Sequence, residues 1–274
     1  MNWLEGFIYG LLSGFTEILP VSSQAHQNVL RHLFGIKTTD SVANLIVHIA
    51  VLLALLIGCR STLFRLRREQ KNMQRGRRRH SADIRSNYDL RLIRTAIVPT
   101  MLFMLFLIVT RKWADNSLLI ALFSILNGLI IFLSERFPHG NKDSRHVSVL
   151  DAIVFGTVGA LSVLPGISRI GTSQAYATMR GVDRQQSHNW AMILSIPAVF
   201  MLCIFDIVGM AGGMGGAHGF SAVAGYILAG IGAFMGAYLC MLSIRTVIHR
   251  INMAGFAYYS WGLALFTFVL YLIS

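Results

Sequence analysis

Residues 14–26, GFTEILPVSSQAH, place polar chemistry inside an otherwise apolar run. Glu17 supplies a carboxylate, and Ser22 and Ser23 supply hydroxyls just after a proline. His26 can exchange protons near neutral pH. The proline predicts a new helix that starts at the serines, and helix starts favour anions, so we expect both serines to contact one. The alternative is that the serines only cap the helix and that His26 is a hydrogen-bonded core residue.

A second stretch, LPGISRIGTSQ at residues 164–174, carries Arg169 with no acid beside it in sequence. Its guanidinium is a fixed fork of donors that suits a phosphate. Small or hydroxylated neighbours let backbone N–H groups approach a ligand closely, and we predict that they bind the substrate: Gly166, Ser168, Gly171, Thr172 and Ser173. The alternative for Arg169 is a structural ion pair with Glu17.

Three further polar residues are weaker signals. His48 lies in the middle of an apolar segment with Asn44 one turn before it, so it is either a second polar contributor to the site or a packing residue. Asp206 lies near the predicted end of a span and is interpreted as a solvated residue. Asp151 is interpreted as a charge at a helix N-terminus.

The composition places these motifs in a membrane protein. The chain has 274 residues, is 54% hydrophobic and 13% charged, and has a mean hydropathy of +0.59. Apolar runs of roughly 20 residues, the length that crosses a bilayer, recur along the chain and leave no room for a separate soluble domain. We therefore predict one integral, all-α membrane domain over residues 1–274. The cysteines, which lie within or at the ends of apolar segments and form no CxxC pair, are predicted to be free thiols: Cys59, Cys203 and Cys240.

The net charge of +12 is concentrated in one segment. Residues 60–94 hold 12 of the 24 lysines and arginines. Short loops rich in basic residues stay on the cytoplasmic side of a membrane, so this loop is predicted to be cytoplasmic. Aromatic residues are nearly absent from it, which argues against nucleic acid as a partner and leaves the bilayer and its anionic headgroups.

The cytoplasmic loop fixes the direction of every other segment by alternation. Six spans then place all strongly basic loops on one side: Val42–Gly58, Thr95–Thr110, Leu118–Ser134, Asn189–Val208, Ser221–Leu242 and Gly255–Leu272. Two segments remain, residues 1–33 and 149–181, and each must begin and end on the same side. We predict that both are re-entrant helical hairpins, the first entering from outside and the second from the cytoplasm. Their polar, proline-bearing middles require surrounding protein or water.

The two predicted hairpins resemble each other. At an offset of 145 residues, GFTEILPVSS overlies GALSVLPGIS, so that Pro20 meets Pro165 and Ser23 meets Ser168. An odd number of spans separates them, which predicts an inverted repeat with halves of about 1–134 and 149–274. In that architecture a site lies near the membrane midplane, where broken helices of both halves meet.

At these two motifs the sequence resembles the bacterial undecaprenyl-diphosphate phosphatases, membrane enzymes associated with bacitracin resistance. The resemblance covers nearly the whole chain and rests on TEILPVSSQAH, LPGISRIG and SHNWAMILSIPAVF. It implies hydrolysis of undecaprenyl diphosphate at the outer face of the bacterial cytoplasmic membrane, which recycles the carrier for cell-wall precursors. It also implies an inverted-repeat fold with re-entrant helices, a polyprenyl diphosphate as the ligand, and a divalent cation, Mg²⁺ or Ca²⁺.

The resemblance also assigns roles. Glu17 matches the second acid of the family's acid-x-x-x-acid motif and is expected to hold the cation. Ser23 matches the proposed nucleophile or phosphate ligand, His26 the motif histidine, and Arg169 the phosphate-binding arginine. The chain departs from the motif at a few positions, and Ser13 stands where the first Glu or Gln is expected.

Two mechanisms follow from this reading. In the first, Ser23 or a water activated by His26 attacks the terminal phosphorus. The rival is a transporter or flippase that moves undecaprenyl phosphate or a related lipid without cleaving it, since inverted repeats suit alternating access. The oligomeric state, including a homodimer, is left open.

Overall fold

A computed structural model of the protein describes residues 1–36, 40–74, 81–138, 140–212, 220–248 and 250–273, without the side chains of 72–74, 81–87, 220 and 221. Helices make up nearly all of these residues, and no strand occurs among them. In chain order the helices are α1 (Trp3–Ile18), α2 (Ser23–Leu33), α3 (Ser41–Gly58), α4 (Arg60–Gln74), α5 (Ser81–Met104), α6 (Leu107–Thr110), α7 (Ser117–Ser134), α8 (Val149–Ala160), α9 (Arg169–Met179), α10 (Arg184–Ala211), α11 (Phe220–Val247) and α12 (Ala254–Ile273). Short 3₁₀ turns cover Arg111–Trp113, Ser144–His146 and Leu161–Val163.

Within the described residues, six helical stretches are long and apolar enough to cross a membrane, which confirms a multi-pass, all-helical membrane protein. They are Ser41–Gly58, Tyr88–Trp113, Ser117–Ser134, Arg184–Ala211, Ala222–Val247 and Ala254–Ile273. Each contains or overlaps one predicted span. Most run a few residues further than predicted, because the last polar turns continue the helix beyond the apolar core.

Two connections differ from the prediction. Much of the basic segment 60–94 is helical, since α4 follows α3 almost directly and α5 begins at Ser81. Arginine, lysine, glutamine and leucine are all good helix formers, so a charged stretch of this composition need not be a loop. The connection after the predicted span Thr95–Thr110 also starts with a helical turn, the 3₁₀ turn Arg111–Trp113.

Small residues bring α1 and α11 into close backbone contact. Gly6, Gly10 and Gly14 recur every four residues on α1 and face Gly225, Ala229 and Ala233 of α11. A Cβ atom added at Gly10 would lie 1.9 Å from the carbonyl oxygen of Ala229, so neither backbone could stay in place. Small residues at four-residue spacing are the usual device for such contacts between membrane helices. They fix α1, and with it the polar residues at its C-terminal end.

The helix contacts come in matched pairs. α1 packs on α11, and α8 packs on α5; α2 packs on α12, and α9 packs on α7. In the same way α3 contacts α11, and α10 contacts α5. Further large contacts join α3 to α10 and α7 to α12. The packing of α9 on α10 has no counterpart of comparable extent between α2 and α3 among the described residues. An exchange of α1, α2, α3, α5 and α7 for α8, α9, α10, α11 and α12 therefore reproduces most of the contact pattern.

The three cysteines are buried and form no disulfide bond, which confirms the prediction of free thiols in packed helices: Cys59, Cys203 and Cys240.

Candidate functional site

Two breaks in the helical path carry the predicted motifs. α1 ends at Ile18, and after an extended stretch the Ser22 side chain caps α2 by accepting a hydrogen bond from the Ala25 amide at 3.2 Å. α9 starts in the same way, with the Ser168 hydroxyl accepting from the Gly171 amide at 3.1 Å. A serine that accepts from the third residue of the helix is a standard N-cap. Ser22 is therefore a cap, the alternative that the sequence left open for Ser22 and Ser23, whereas Ser23 is the first residue of α2. Ser168 is a cap as well, which the sequence did not predict.

The register of the two breaks differs by one residue from the sequence alignment. Ser168 caps its helix 146 residues after Ser22, whereas the alignment on the prolines used 145 and paired Ser23 with Ser168. The second break has one residue more. It contains Gly166, whose φ of +110° is unfavourable for a residue with a side chain. In the register of the caps, Ser23 corresponds to Arg169.

The two breaks touch each other. The Ser168 hydroxyl donates to the carbonyl oxygen of Leu19 at 3.2 Å, so the cap of one break is bonded to the backbone of the other. The Ser168 amide donates to the Asn127 side chain at 2.9 Å, which anchors the second break on α7. Residues about 150 positions apart in sequence are thereby held at one point.

An ion pair joins the two breaks at their centre. Arg169 Nη2 donates to Glu17 Oε2 at 2.6 Å, and both side chains are more than nine-tenths buried. The hydroxyl of Ser23 donates to the other oxygen, Glu17 Oε1. Arg169 Nη1 also donates to the carbonyl oxygen of Ser195 at 3.4 Å. The ion pair that the sequence left as an alternative is thus present, and Ser23 belongs to it.

A cavity of about 90 Å³ opens beside this cluster. A water needs roughly 10–15 Å³ of such volume, so the cavity has room for a polar group of several atoms. It lies between the two breaks, one side of α2, the first half of α3, residues 107–114 and the second half of α10. Many of its lining residues are charged or polar, among them Glu17, Ser23, Gln24, Gln27, Arg31, Asn44, His48, Arg111, Ser168, Arg169 and Asp206.

His48 and Asp206 form a second buried cluster on the same cavity. His48 Nδ1 lies 2.6 Å from Asp206 Oδ2, and both side chains are about nine-tenths buried. Arg111 Nη2 lies 3.9 Å from Asp206 Oδ1 and donates to the Ser41 hydroxyl at 2.7 Å. The interpretation of Asp206 as a solvated residue is wrong, because packing of α10 against α3 buries its carboxylate. A charged residue with no acid or base nearby in an apolar helix was the signal that could have found it.

His26 is not brought to the cavity lining. Its Nδ1 lies 2.6 Å from the carbonyl oxygen of Ser22, and its Nε2 lies 2.6 Å from the Tyr259 hydroxyl on α12. Both ring nitrogens are occupied, and the ring stacks on Tyr259. This is the hydrogen-bonded histidine of the alternative reading. It holds the start of α2, where Ser23 stands, against α12.

Most of the predicted substrate ligands do not line the cavity. Ser168 lines it, but the other five are not among its lining residues: Ser22, Gly166, Gly171, Thr172 and Ser173. The Gly171 amide is used by the Ser168 cap, and the Thr172 hydroxyl bonds backbone oxygens at 2.8 Å and 3.0 Å. The hydroxyl groups in this motif therefore shape the second break rather than face a ligand directly.

The described residues offer few ligands for a metal. They contain no group of three or more His, Cys, Asp and Glu side chains that could hold an ion. Glu17 and Ser23 together provide three oxygen atoms at the cavity. Mg²⁺ is commonly held by one or two carboxylates together with the phosphates of a substrate. The residues present therefore fit a cation that arrives with a phosphate ligand, not one held by the protein alone.

Comparison with known proteins points to a single family. The family model described as "Bacitracin resistance protein BacA" matches residues 6–266. The chain is 29% identical over 272 residues to an undecaprenyl-diphosphatase of Carboxydothermus hydrogenoformans, covering 98% of both chains. It is 27% identical over 265 residues to undecaprenyl-diphosphatase 3 of Bacillus cereus, with 97% and 96% coverage. An undecaprenyl-diphosphatase of Treponema denticola is 27% identical over 264 residues, with 94% coverage of each.

Proposed function

Because the chain belongs to the family of the bacitracin resistance protein BacA, we propose that it hydrolyses undecaprenyl diphosphate to undecaprenyl phosphate and inorganic phosphate. This reaction returns the lipid carrier to cell-wall synthesis. The observation that carries the proposal is the Glu17–Arg169–Ser23 cluster, which joins two helix breaks at a polar cavity inside an apolar helical protein. Buried ionisable groups at this depth are costly to maintain and are a mark of function.

In this proposal Arg169 binds the terminal phosphate. A guanidinium can hold two phosphate oxygens at once, and among the described residues Glu17 is the acid with which Arg169 forms an ion pair. Ser23, which donates to Glu17 in this structure, would donate its hydroxyl to a phosphate oxygen instead. The oxygen of a water forms a bond to the terminal phosphorus, and the bond from that phosphorus to the bridging oxygen breaks, so that undecaprenyl phosphate leaves with the bridging oxygen. Positioning and charge neutralisation supply most of the acceleration in phosphoryl transfer.

A divalent cation, Mg²⁺ or Ca²⁺, belongs to this proposal as a partner of the substrate. Glu17 and Ser23 would hold it together with the phosphate oxygens. When bound, it neutralises charge on the diphosphate and stabilises the leaving group. His26 has no role in proton transfer here, since both its ring nitrogens are bonded away from the cavity; it positions α2 and, through α2, Ser23.

The architecture proposed with this function is an inverted repeat of residues 1–134 and 149–274, with residues 1–33 and 149–181 as re-entrant segments. The matched helix contacts support it, as do the equivalent caps of α1 and α8, where Asn2 pairs with Glu5 and Ser148 with Asp151. Each cap is a reciprocal capping box, and the two boxes are 146 residues apart, as are the caps of α2 and α9.

The orientation in the bacterial cytoplasmic membrane is proposed from charge. The basic segment begins at the C-terminal end of α3, whereas the cavity lies along the first half of α3, near Asn44 and His48. Basic segments stay in the cytoplasm, so the cavity opens towards the outer face. The diphosphate then enters from outside while its prenyl chain stays among the helices and lipids.

The test is phosphate release from undecaprenyl diphosphate by the detergent-purified protein, with Mg²⁺, with Ca²⁺ and with a chelator. Release that depends on the cation is expected. Arg169→Ala should lower it by about 10³-fold or more, because the charge on the phosphate is left without its partner. Arg169→Lys keeps the charge but not the fork, and it should lose most of the activity while remaining folded.

The matched control is Arg180→Ala. Arg180 also pairs with an acid, Asp151, at 2.7 Å, but it is half exposed and does not line the cavity. Its removal should leave turnover within about twofold, since exposed ion pairs contribute little. Full activity in folded Arg169→Ala would remove Arg169 from the mechanism. Lipid binding without any phosphate release from the wild-type protein would contradict hydrolysis and favour transport.

A further inference from the structure

His48 and Asp206 face the same cavity as the Glu17–Arg169–Ser23 cluster but come from two other helices, α3 and α10. On the proposed function, we infer that His48, oriented by Asp206, is the general base that takes the proton of the water attacking the terminal phosphorus.

The hydrogen bonds of the pair determine which ring nitrogen can act. Asp206 Oδ1 lies 3.9 Å from Arg111 Nη2, and a carboxylate in an ion pair can only accept hydrogen bonds. The proton between Asp206 Oδ2 and His48 Nδ1 is therefore on Nδ1. His48 Nε2 then carries a lone pair and is the nitrogen left for a group in the cavity. In hydrolases whose histidine is oriented by a buried aspartate, one ring nitrogen likewise donates to the aspartate while the other accepts the proton.

The surroundings of His48 fit a proton acceptor. Burial of the ring opposes a charge on His48, and the charged groups that act on it are Asp206 from α10, Glu17 from α1 and Arg169 from α9. Arg111 lies on the far side of the Asp206 carboxylate. From α11, the neighbouring titratable group at this end of α3 is Tyr226, which donates to Asp40 at 2.6 Å rather than to His48. When His48 takes a proton, the imidazolium lies against the Asp206 carboxylate, so the new charge is balanced where it forms.

In the proposed reaction a water attacks the terminal phosphorus and His48 takes its proton. The water oxygen forms a bond to the terminal phosphorus while its proton passes to His48 Nε2. The bond from phosphorus to the bridging oxygen breaks, and undecaprenyl phosphate leaves with that electron pair. Inorganic phosphate is the second product, and the proton on His48 returns to solvent through the cavity. His26 could not perform this step from its place, because Ser22 and Tyr259 occupy both its nitrogens.

A purely structural role for the pair would be to tie α3 to α10. The two roles differ in kinetics. Loss of a general base lowers kcat by about 10²–10⁴-fold with little change in KM. It also removes the fall in activity at low pH that protonation of the base causes. A loosened contact between two helices alters thermal stability and KM but leaves the shape of the pH profile unchanged.

The experiment measures kcat and KM for phosphate release from undecaprenyl diphosphate between about pH 5 and pH 9, with thermal unfolding of each purified variant. His48→Gln should lower kcat by about 10²-fold or more at constant KM and lose the low-pH limb. Asp206→Asn, which replaces the carboxylate with an amide of the same shape, should lower kcat as well, because it no longer fixes the tautomer. If His48→Gln does not fold, the Asp206→Asn variant tests the inference in its place.

The matched control is His146→Gln. His146 also pairs with an aspartate, Asp143, at 3.1 Å, but it is exposed and remote from the cavity, so kcat and its pH profile should be unchanged. A folded His48→Gln with kcat within about threefold of wild type, or with an unaltered low-pH limb, would overturn the inference and leave the proposed function standing. A wild-type protein that releases no phosphate would overturn both.

Discussion

The two helix breaks share a backbone design and differ in chemistry. Each follows a short apolar helix, contains a proline, and ends with a serine that caps the next helix. The first break is flanked by Glu17 and Ser23, which provide acceptor oxygens and a hydroxyl. The second is followed by Arg169, which provides donors. A phosphate with a cation needs both kinds of group, so neither break could form the site alone.

The comparison also explains why the breaks touch. Each serine cap satisfies an amide at a helix start that would otherwise be exposed inside a membrane protein. In the second break the cap does more, since its hydroxyl also bonds the Leu19 carbonyl oxygen of the first. The two breaks thus have the same cap geometry, and the cap serine of the second break also bonds the first break.

The largest effect on stability is expected at the ion pair that joins the two breaks. Arg169→Ala leaves the Glu17 carboxylate buried without the guanidinium, and Glu17→Ala leaves the Arg169 guanidinium without the carboxylate. Removal of one partner of a buried ion pair costs about 3–5 kcal/mol, so each single variant should be strongly destabilised, and the double variant less than the sum of the two. Reversible unfolding in mixed micelles measures this coupling. Additive losses would mean that the breaks are not joined by this pair.

The exposed pair Asp151–Arg180 provides the reference for that cycle. It lies at the other end of α8 and α9, and the Arg180 side chain is 54% exposed. Hydrogen bonds from Ser148, Arg180 and Tyr176 outweigh partial burial and hold the pKa of the Asp151 carboxyl below its ordinary value. Even so, coupling between exposed charges is at most about 1 kcal/mol, clearly below that expected for the buried pair.

The second effect concerns the additional residue of the second break. Gly166→Ala introduces a side chain at φ +110°, with its Cβ 2.5 Å from the carbonyl oxygen of Ile120. Strain and overlap together should cost about 3 kcal/mol and displace Arg169, so phosphate release should fall with stability. Gly35→Ala is the matched control: its φ is +68°, but apart from its chain neighbours no atom of the described residues lies within 4 Å of the added Cβ. It should cost about 1 kcal/mol. Equal losses would show that overlap is unimportant.

The sequence predicted the parts of the candidate site that depend on residues close together in the chain. Glu17, Ser23 and Arg169 were found because polar residues beside a proline in a long apolar run have few structural explanations. The six spans followed from apolar length and from the basic segment. These features depend on neighbours in the chain and on the membrane, so no tertiary information was needed.

The features that the sequence did not predict depend on tertiary contacts. The contact of His48 with Asp206 joins helices 158 residues apart, and no periodicity indicates it. His26 was predicted to act at the site because it can exchange protons near neutral pH and matches the motif histidine of the family, but the helix turns its ring towards Tyr259 on α12. The register of the breaks depended on Gly166, whose backbone conformation a proline-based alignment does not see.

The smallest effect separates the two caps. Ser22→Ala removes one capping hydrogen bond and should cost about 1 kcal/mol. Ser168→Ala removes the equivalent cap and also the bond to the Leu19 carbonyl oxygen, so it should cost about 2 kcal/mol. Because Ser168, unlike Ser22, also bonds the opposite break, its loss should also raise KM for the lipid diphosphate, while Ser22→Ala leaves KM unchanged. Paired unfolding and kinetic measurements of the two variants test this. Equal effects of both would mean that each serine only caps its own helix, and that the breaks are held in contact by the Glu17–Arg169 pair alone.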